Sequence, residues 1–511
     1  MTRRAASLAI ACALLLSCLL SPRAASAASP ALVTIKSALN APNSAYTGDT
    51  ISVAGFGYTT GETVALYLDA TQIGSTIAKR ALSIVGGGTA GRISTTVTIP
   101  DGAPVGAHTL SAVGQTSGAS QHTSLSLRAN WPQMGLLSAG GRNNTSETAI
   151  SPANVSTLGF SWKWTGPQYA ISANAPAVAR DIGYMPAGNA SFRAFNATTG
   201  AELWNVYTGW NPNGQAAVAG DTVFVGGYYL SALDAHTGAL KWDSANIPYL
   251  MADTLTLANG KVYVGNGGGV YAFDVNGCSQ LHCAAPLWIT PPNGHNMSVT
   301  PAVANGKLYA VSQQGTLFVY DANTGAALWS AQTTLNTYAR APVVSGGVVY
   351  VTSNDTNVYA FNANGCGAAS CSPLWKGTTG GALNSIAAVA NGVLYIGSND
   401  TYLYAFGATG CGAATCAPLW KGTTAGQVIS WPAVANGLVF VGSNDGKLYA
   451  FGASGCGAAI CAPLWTYTTG GAIWSGPVVA NGVVYAASTD DNLYALTLSG
   501  ALARSRPAKR R

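Results

Sequence analysis

The sequence predicts an all-β chain: an eight-bladed propeller preceded by an immunoglobulin-like β-sandwich. Three observations carry this. Tryptophans 204, 242, 288, 329, 375, 420 and 465 recur at spacings of 38 to 46 residues. Before each stands one unit of short Val/Tyr/Leu runs broken by NG and TG turns, as in PAVANGKLYAVSQQGTLFVYDANTGAALW, 301–329. Only 8% of residues are charged, and no long amphipathic helix pattern appears. A fixed period of this length marks a repeat architecture, and runs of four to seven residues with tight turns suit strands.

The chain opens MTRRAASLAIACALLLSCLLSPRAASA. Arg3 and Arg4 precede an apolar run from Leu8 to Leu20, and Ala25-Ser26-Ala27 follows. That order predicts a signal peptide over 1–27, cleaved near Ala27, and a secreted, cell-surface or periplasmic protein. A lipid on Cys18 is the alternative. No later segment is apolar enough for a transmembrane helix. Residues 28–129 lack the repeat. Runs such as TISVAGFGY, TVALYLDA and HTLSAVG, divided by GD, GE and PDGAPVG turns, predict the sandwich. It resembles bacterial Ig-like modules, which serve as spacers or adhesive domains. A lead-in occupies 130–156 and the propeller 157–498.

Each unit holds four strands, as one propeller blade does. Units begin near Ala175, Ala216, Leu255, Pro301, Pro342, Ala387, Pro432 and Pro477. The eighth ends without its Trp strand, while a spare Trp strand, LGFSWKW, lies at 158–164. Pairing the two closes the ring and removes its free edges. Seven blades is the competing count.

Without the signal, eight cysteines remain, all in Cys-x4-Cys pairs: Cys278/Cys283, Cys366/Cys371, Cys411/Cys416 and Cys456/Cys461. An even count in an exported chain predicts local disulfides. Zinc and redox chemistry compete, although zinc sites join two such pairs at close range and here each pair stands in its own repeat. The pairs fall in an expanded turn between the third and fourth strands.

The formal charge of +6 belongs to the ends. Eight of 24 basic residues lie in the signal and the tail 499–511, leaving 16 against 18 acidic ones. No clustered Lys/Arg face suggests nucleic acid. The basic tail reads as disordered, with contact to an anionic cell surface as the other possibility.

The motif Asp-x-x-Thr-Gly-x-x-x-Trp stands at Asp234, Thr237, Gly238, Trp242 and again at Asp321, Thr324, Gly325, Trp329, with Asn196 beginning a variant that ends at Trp204. It resembles the tryptophan-docking repeat of the pyrroloquinoline-quinone (PQQ)-type β-propellers. The lead-in WPQMGLLSAGGRNNTSETAISPANVSTLGFSWKW resembles the segment before such propellers. The resemblance implies a fold shared by quinoprotein dehydrogenases, an outer-membrane assembly lipoprotein and exported proteins without a quinone. It also implies a ligand mouth at the blade-to-blade connections.

Polar or aromatic groups in those connections are Asn174, Asp253, His295, Tyr338, Arg340, Asn384, Trp431 and Trp474. They form the candidate ligand site; the alternative is that they merely rim a solvated channel. The quinoprotein dehydrogenases use a calcium-binding glutamate and usually a disulfide between adjacent cysteines. This chain has three glutamates, Glu62, Glu147 and Glu202, none in a connection, and no Cys-Cys dipeptide. The sequence therefore predicts no cofactor, with PQQ and calcium as the alternative. Glycosidases need two facing carboxylates, which the connections lack. His295, Tyr338 and Arg340 supply the parts of a polysaccharide lyase without a specific spacing. The remaining reading is a non-catalytic binding or scaffold protein for a glycan or protein partner.

Overall fold

The structure, a computed structural model, describes residues 44–80, 90–100, 103–136, 138–166, 175–208, 215–245, 247, 254–291, 297, 300–334 and 338–498. The expected signal peptide and basic tail lie outside these, as do Asn174, Asp253 and His295.

Between residues 44 and 128 the chain forms two sheets. One runs in the order Ser44–Tyr46, Ser120–Arg128, Gly106–Gly114, Thr63–Leu68, Thr71–Ile77; the other holds Thr50–Thr59, Ala90–Thr98 and Lys79–Arg80. Alternation fixes which face turns inward. Ile51, Val53 and Tyr58 are buried while Ser52 and Phe56 between them are exposed. Buried Glu62 sits at a turn and accepts hydrogen bonds from the backbone N–H groups of Thr59, Thr116 and Ser117 and from the Ser117 hydroxyl. Burial alone would raise its pKa, but these donors outweigh it and hold the carboxyl at about 2.

Eight further sheets follow, each built on a four-stranded antiparallel meander, and together they make the β-propeller. Blade 4 is representative: Ala302–Ala304, Lys307–Val311, Thr316–Asp321 and Ala327–Gln332, from channel to rim. The first hairpin turns on Asn305 and Gly306, with φ of 50° and 73°. Two consecutive left-handed residues make the turn that matches strand twist, which explains the Asn-Gly pairs repeated at 391–392, 436–437 and 481–482. In the third turn Asp321 Oδ1 accepts from the N–H groups of Asn323 and Thr324 and from the Thr324 hydroxyl.

The repeated tryptophans join neighbouring blades. Each of seven rings lies against a glycine in the third turn of the next blade: Trp162 on Gly200, Trp204 on Gly238, Trp242 on Gly277, Trp288 on Gly325, Trp329 on Gly365, Trp375 on Gly410 and Trp420 on Gly455. A Cβ at Gly325 would fall 2.6 Å from the Trp288 ring, and the residue has a φ of 74°, so only glycine satisfies both packing and backbone. Trp465 instead donates from Nε1 to the Leu158 carbonyl. A second link runs deeper. The hydroxyls of Tyr309, Tyr350, Tyr395 and Tyr485 donate to the carbonyls of Ala363, Ala408, Ala453 and Ala197, each in the following blade.

Blade 8 consists of Val478–Ala480, Val483–Ser488 and Asn492–Leu498, completed by Leu158–Thr165 as its outermost strand. That strand pairs antiparallel from Leu158 opposite Leu498 to Thr165 opposite Asn492. The ring is thus closed by hydrogen bonds between distant parts of the chain.

The lead-in does something its sequence did not announce. From Trp131 to Asn144 it bonds to the innermost strand of each blade in order. Trp131 exchanges two backbone bonds with Val178. The backbone N–H groups of Val218, Val303, Val344, Val389 and Val434 then donate to the carbonyls of Pro132, Ser138, Ala139, Gly141 and Arg142. The Leu257 N–H donates to the Gln133 side chain, and Asn144 Nδ2 donates to the Val479 carbonyl. At its centre lies Arg142, only 1% exposed. Its guanidinium donates to the carbonyls of Pro432 (2.9 Å), Pro477 (2.8 Å) and Met134, and stands over the rings of Trp131 and Trp431. Burial pulls its pKa down to about 9, still above neutrality, so the cation persists. Gly476 makes room for it, since a Cβ there would lie 2.4 Å from Nη2.

The four disulfides join Cys278–Cys283, Cys366–Cys371, Cys411–Cys416 and Cys456–Cys461, each within its own turn. Beyond stapling the turn, three of these hairpins add a fifth strand to the preceding blade. Ser370 and Cys371 pair in parallel with Ser330 and Ala331, Thr415 and Cys416 with Lys376 and Gly377, and Ile460 and Cys461 with Lys421 and Gly422. At the fourth, His282 bridges to Asp243 and its Nδ1 lies 2.8 Å from the carboxylate. The hairpins thereby cover the outer edges of blades 4, 5 and 6 and touch that of blade 2.

Three outcomes are expected. Glu62→Gln should lower the unfolding temperature at pH 7. Because the native pKa is depressed, the stabilisation is present above about 4.5 and lost toward about 2, so the gap between variant and parent should narrow over that range; a gap independent of pH refutes the assignment. Arg142→Leu strands three carbonyls and should cost about 3 kcal/mol or more in chemical denaturation, with Arg142→Lys recovering only part. Reduction should cost roughly 2 kcal/mol per bridge or less. It should also speed amide exchange at Ser330, Lys376 and Lys421, whose N–H groups donate to the hairpin carbonyls of Ala369, Ala414 and Ala459.

Candidate functional site: the propeller mouth

Two kinds of segment meet at the mouth end of blades 5 to 8: the turns between second and third strands, and the connections from one blade to the next. The turns carry one repeated pattern, Ser-x-Asp-x-x-x-Tyr, at Asp355/Tyr359, Asp400/Tyr404, Asp445/Tyr449 and Asp490/Tyr494. In each, the tyrosine hydroxyl donates to the carboxylate four residues earlier, at 2.6 Å for Asp355 and 2.5 Å for Asp400 and Asp490. The carboxylates also hold the connections: Ala425 N–H donates to Asp445 and Gly470 N–H to Asp490. Burial would raise the pKa of Asp355 and Asp490, yet hydroxyl and N–H donors prevail and lower both. Burial, reinforced by the aspartate, lifts Tyr359, Tyr404, Tyr449 and Tyr494 to about 12. Among the described residues, four carboxylates therefore stand at the mouth, each accepting a tyrosine hydroxyl. The sequence reading, which saw Asp253 alone, missed them, although the repeated Asp-x-x-x-Tyr was the available signal.

A ring of hydroxyls lies below. Thr352 Oγ1 donates to the Ser385 carbonyl, Ser385 Oγ to the Ser430 carbonyl and Ser430 Oγ to the Ser475 carbonyl, each at 2.8 Å. Where blades 6, 7 and 8 place Ser385, Ser430 and Ser475, two residues before the Pro or Ala that opens the inner strand, blade 5 places Arg340. Its Nη2 donates to Asn384 Oδ1 at 2.8 Å, while its buried Nε has no partner among the described residues. Burial lowers its pKa.

The structure thus brings Arg340 and Asn384 together. Tyr338 is 58% exposed two residues away, and Trp474 is 44% exposed on the connection into blade 8. Trp431 is half-buried, with its ring 5.7 Å from the Arg142 guanidinium, so it helps to seat the lead-in. Asn174, Asp253 and His295 fall outside the described residues.

The lead-in floors the mouth. Gln133, Met134 and Arg142, with Thr256, Thr300 and Pro301, line a cavity of about 20 Å³, room for about one water. Organic cofactor pockets are usually on the order of 300 Å³ or more. Among the described residues no group of three His, Cys, Asp or Glu side chains could hold a metal. Each disulfide links cysteines five positions apart. The residues present do not fit a calcium–quinone group at this floor.

The sequence matches the family described as outer membrane protein assembly factor BamB over residues 188–283, 284–368 and 366–455. Among curated proteins it is 31% identical over 154 residues to the serine/threonine-protein kinase AfsK of Streptomyces griseus; the match spans 28% of this chain and 19% of the kinase. Among solved structures, quinohemoprotein alcohol dehydrogenase from Comamonas testosteroni superposes with a TM-score of 0.58 at 15% identity, covering 73% of this chain and 81% of that one. BamB from Moraxella catarrhalis gives 0.53 at 18% identity, covering 66% and 99%. These low identities establish the shared fold and no shared chemistry. With more than half of its length matched and a tryptophan docked on the next blade around the ring, the chain belongs to the PQQ-type β-propeller family typified by outer membrane protein assembly factor BamB.

Proposed function

We propose that this is an exported, non-catalytic binding or scaffold protein whose propeller mouth engages a glycan or protein partner, without a redox cofactor. The observation that carries the reading is the state of the mouth carboxylates. A catalytic acid or base must reach the reacting proton, whereas Asp355, Asp400, Asp445 and Asp490 each accept a tyrosine hydroxyl within the fold. The floor filled by the lead-in supports the same reading, because a three-ring quinone needs a deeper pocket. A binding surface needs none of this. Exposed Tyr338 and Trp474 with neighbouring amides and hydroxyls suit stacking and hydrogen bonding. The family's description as an assembly factor favours a partner over a substrate.

Export rests on the N-terminal sequence, and the disulfides agree with an oxidising compartment. The basic tail would add contact with an anionic cell surface. No helix among the described residues is long and apolar enough to cross a membrane.

The test supplies purified protein with PQQ and calcium, offers alcohols and aldoses, and follows reduction of an artificial electron acceptor. No quinone retention and no dye reduction are expected. Glycan-array or pull-down binding should fall at least several-fold on Trp474→Ala, whose exposed ring has little to lose in stability. Stoichiometric quinone uptake with dye reduction would replace this reading with a dehydrogenase.

A further inference from the structure

Arg340 is a cation that meets no carboxylate among the described residues. Its five donors meet a single partner among the described residues, the neutral oxygen of Asn384. The buried Nε is left without an acceptor. Contrast Arg142, whose guanidinium reaches three carbonyls and two aromatic rings, or Arg193, whose Nε is likewise unpartnered but whose charge pairs with Glu202 and stacks on Trp164 at 3.6 Å. A half-buried guanidinium without acceptors costs stability. The repeat offers a cheaper side chain for this position, since blades 6, 7 and 8 all carry serine there.

The neighbours indicate what is missing. Because Asn384 turns its oxygen to Arg340, its Nδ2 faces away, and it has no hydrogen bond among the described residues. The Asn384 oxygen takes one guanidinium donor, and the donors that remain on Arg340, with that N–H₂, meet no carboxylate among the described residues. Tyr338, two residues before Arg340 in the same connection, has an exposed ring. Planar guanidinium donors match a carboxylate in two parallel hydrogen bonds, and a tyrosine face suits the C–H side of a sugar ring.

We propose that Arg340 and Asn384 form the subsite for the carboxylate of an acidic saccharide, a uronate unit, with Tyr338 stacking on the ring. This rests on the mouth-binding reading above and gives that reading its ligand class. One isolated guanidinium on a chain with 8% charged residues selects a single carboxylate rather than a dense polyanion.

The experiment titrates the mature protein with a neutral oligosaccharide carrying one galacturonate unit, with the same oligosaccharide methyl-esterified, and with PQQ. The acid form should bind, and esterification should weaken binding about tenfold or more, the loss of charge-assisted bonds. Arg340→Ala should weaken the acid form equally and leave the ester unchanged, while Arg340→Lys recovers part and Asn384→Ala falls between. Since Arg340 stabilises nothing in the free protein, its Ala and Gln variants should melt at or above the parent temperature. A lower melting temperature for both variants would mark it as structural and overturn the proposal. So would no uronate binding, or acid and ester bound alike. If uronate is silent while a neutral glycan or a protein binds in a Trp474-dependent way, this inference fails and the mouth-binding reading stands. Quinone uptake with dye reduction removes both.

Discussion

Everything in the ring depends on how its inner edge is satisfied. An innermost strand of three residues, Ala-Val-Ala in most blades, cannot bury its outer-facing N–H groups without partners, and a ring of eight leaves eight such edges facing one channel. The lead-in answers them together. Its carbonyls or side chains meet the central residue of each inner strand from Val178 to Val479, and Arg142 joins the strand starts of blades 7 and 8 through Pro432 and Pro477. One segment therefore sets the spacing of all eight blades at the axis. The tryptophans then set it at larger radius, and the antiparallel pairing of Leu158–Thr165 closes the circle.

That arrangement has a consequence for chemistry. The lead-in lies along the inner edges of the blades, and its residues line the small cavity beneath the described mouth residues. The described loops of blades 5 to 8 are held as well, by aspartates that accept tyrosine hydroxyls and backbone N–H groups. Preorganised groups of this kind favour recognition, since little entropy is lost when a partner settles on them.

The parts legible in the sequence were those written in side chains that repeat. Trp spacing, the Asn-Gly hairpins and the cysteine pairs each depend on a particular residue: a ring to dock, a left-handed φ, a sulfur to bond. The lead-in escaped because its work is done mainly by backbone carbonyls, which any residue supplies. The small residues Ser138, Ala139, Gly140 and Gly141, needed for close approach, look like an ordinary loop. The second role of the cysteine hairpins escaped for the same reason, since Ser370 and Cys371 pair through their main chains with the blade before. At the mouth, Arg340 and Asn384 were each recognisable as polar residues in connections. Their contact joins residues 44 positions apart in successive connections and emerges only from the stacking of blades.

A repeat also provides its own control. Blades 5, 6 and 7 are near copies, with Cα–Cα distances of 5.7 Å across each of their disulfides and the same Asp–Tyr pair at the mouth. Where copies agree, the common demand of the fold explains the residue, and serine at 385 and 430 is explained by the hydroxyl ring. Where one copy departs and the departure weakens the fold locally, the fold cannot be the reason for it. Trp431 departs from Ile386 but earns its place against Arg142. Arg340 departs from serine and gains one bond to an amide oxygen while leaving Nε bare. Among the described mouth residues, Arg340 is the one whose charge meets only an amide oxygen, and the proposed ligand carboxylate would be its first charged partner.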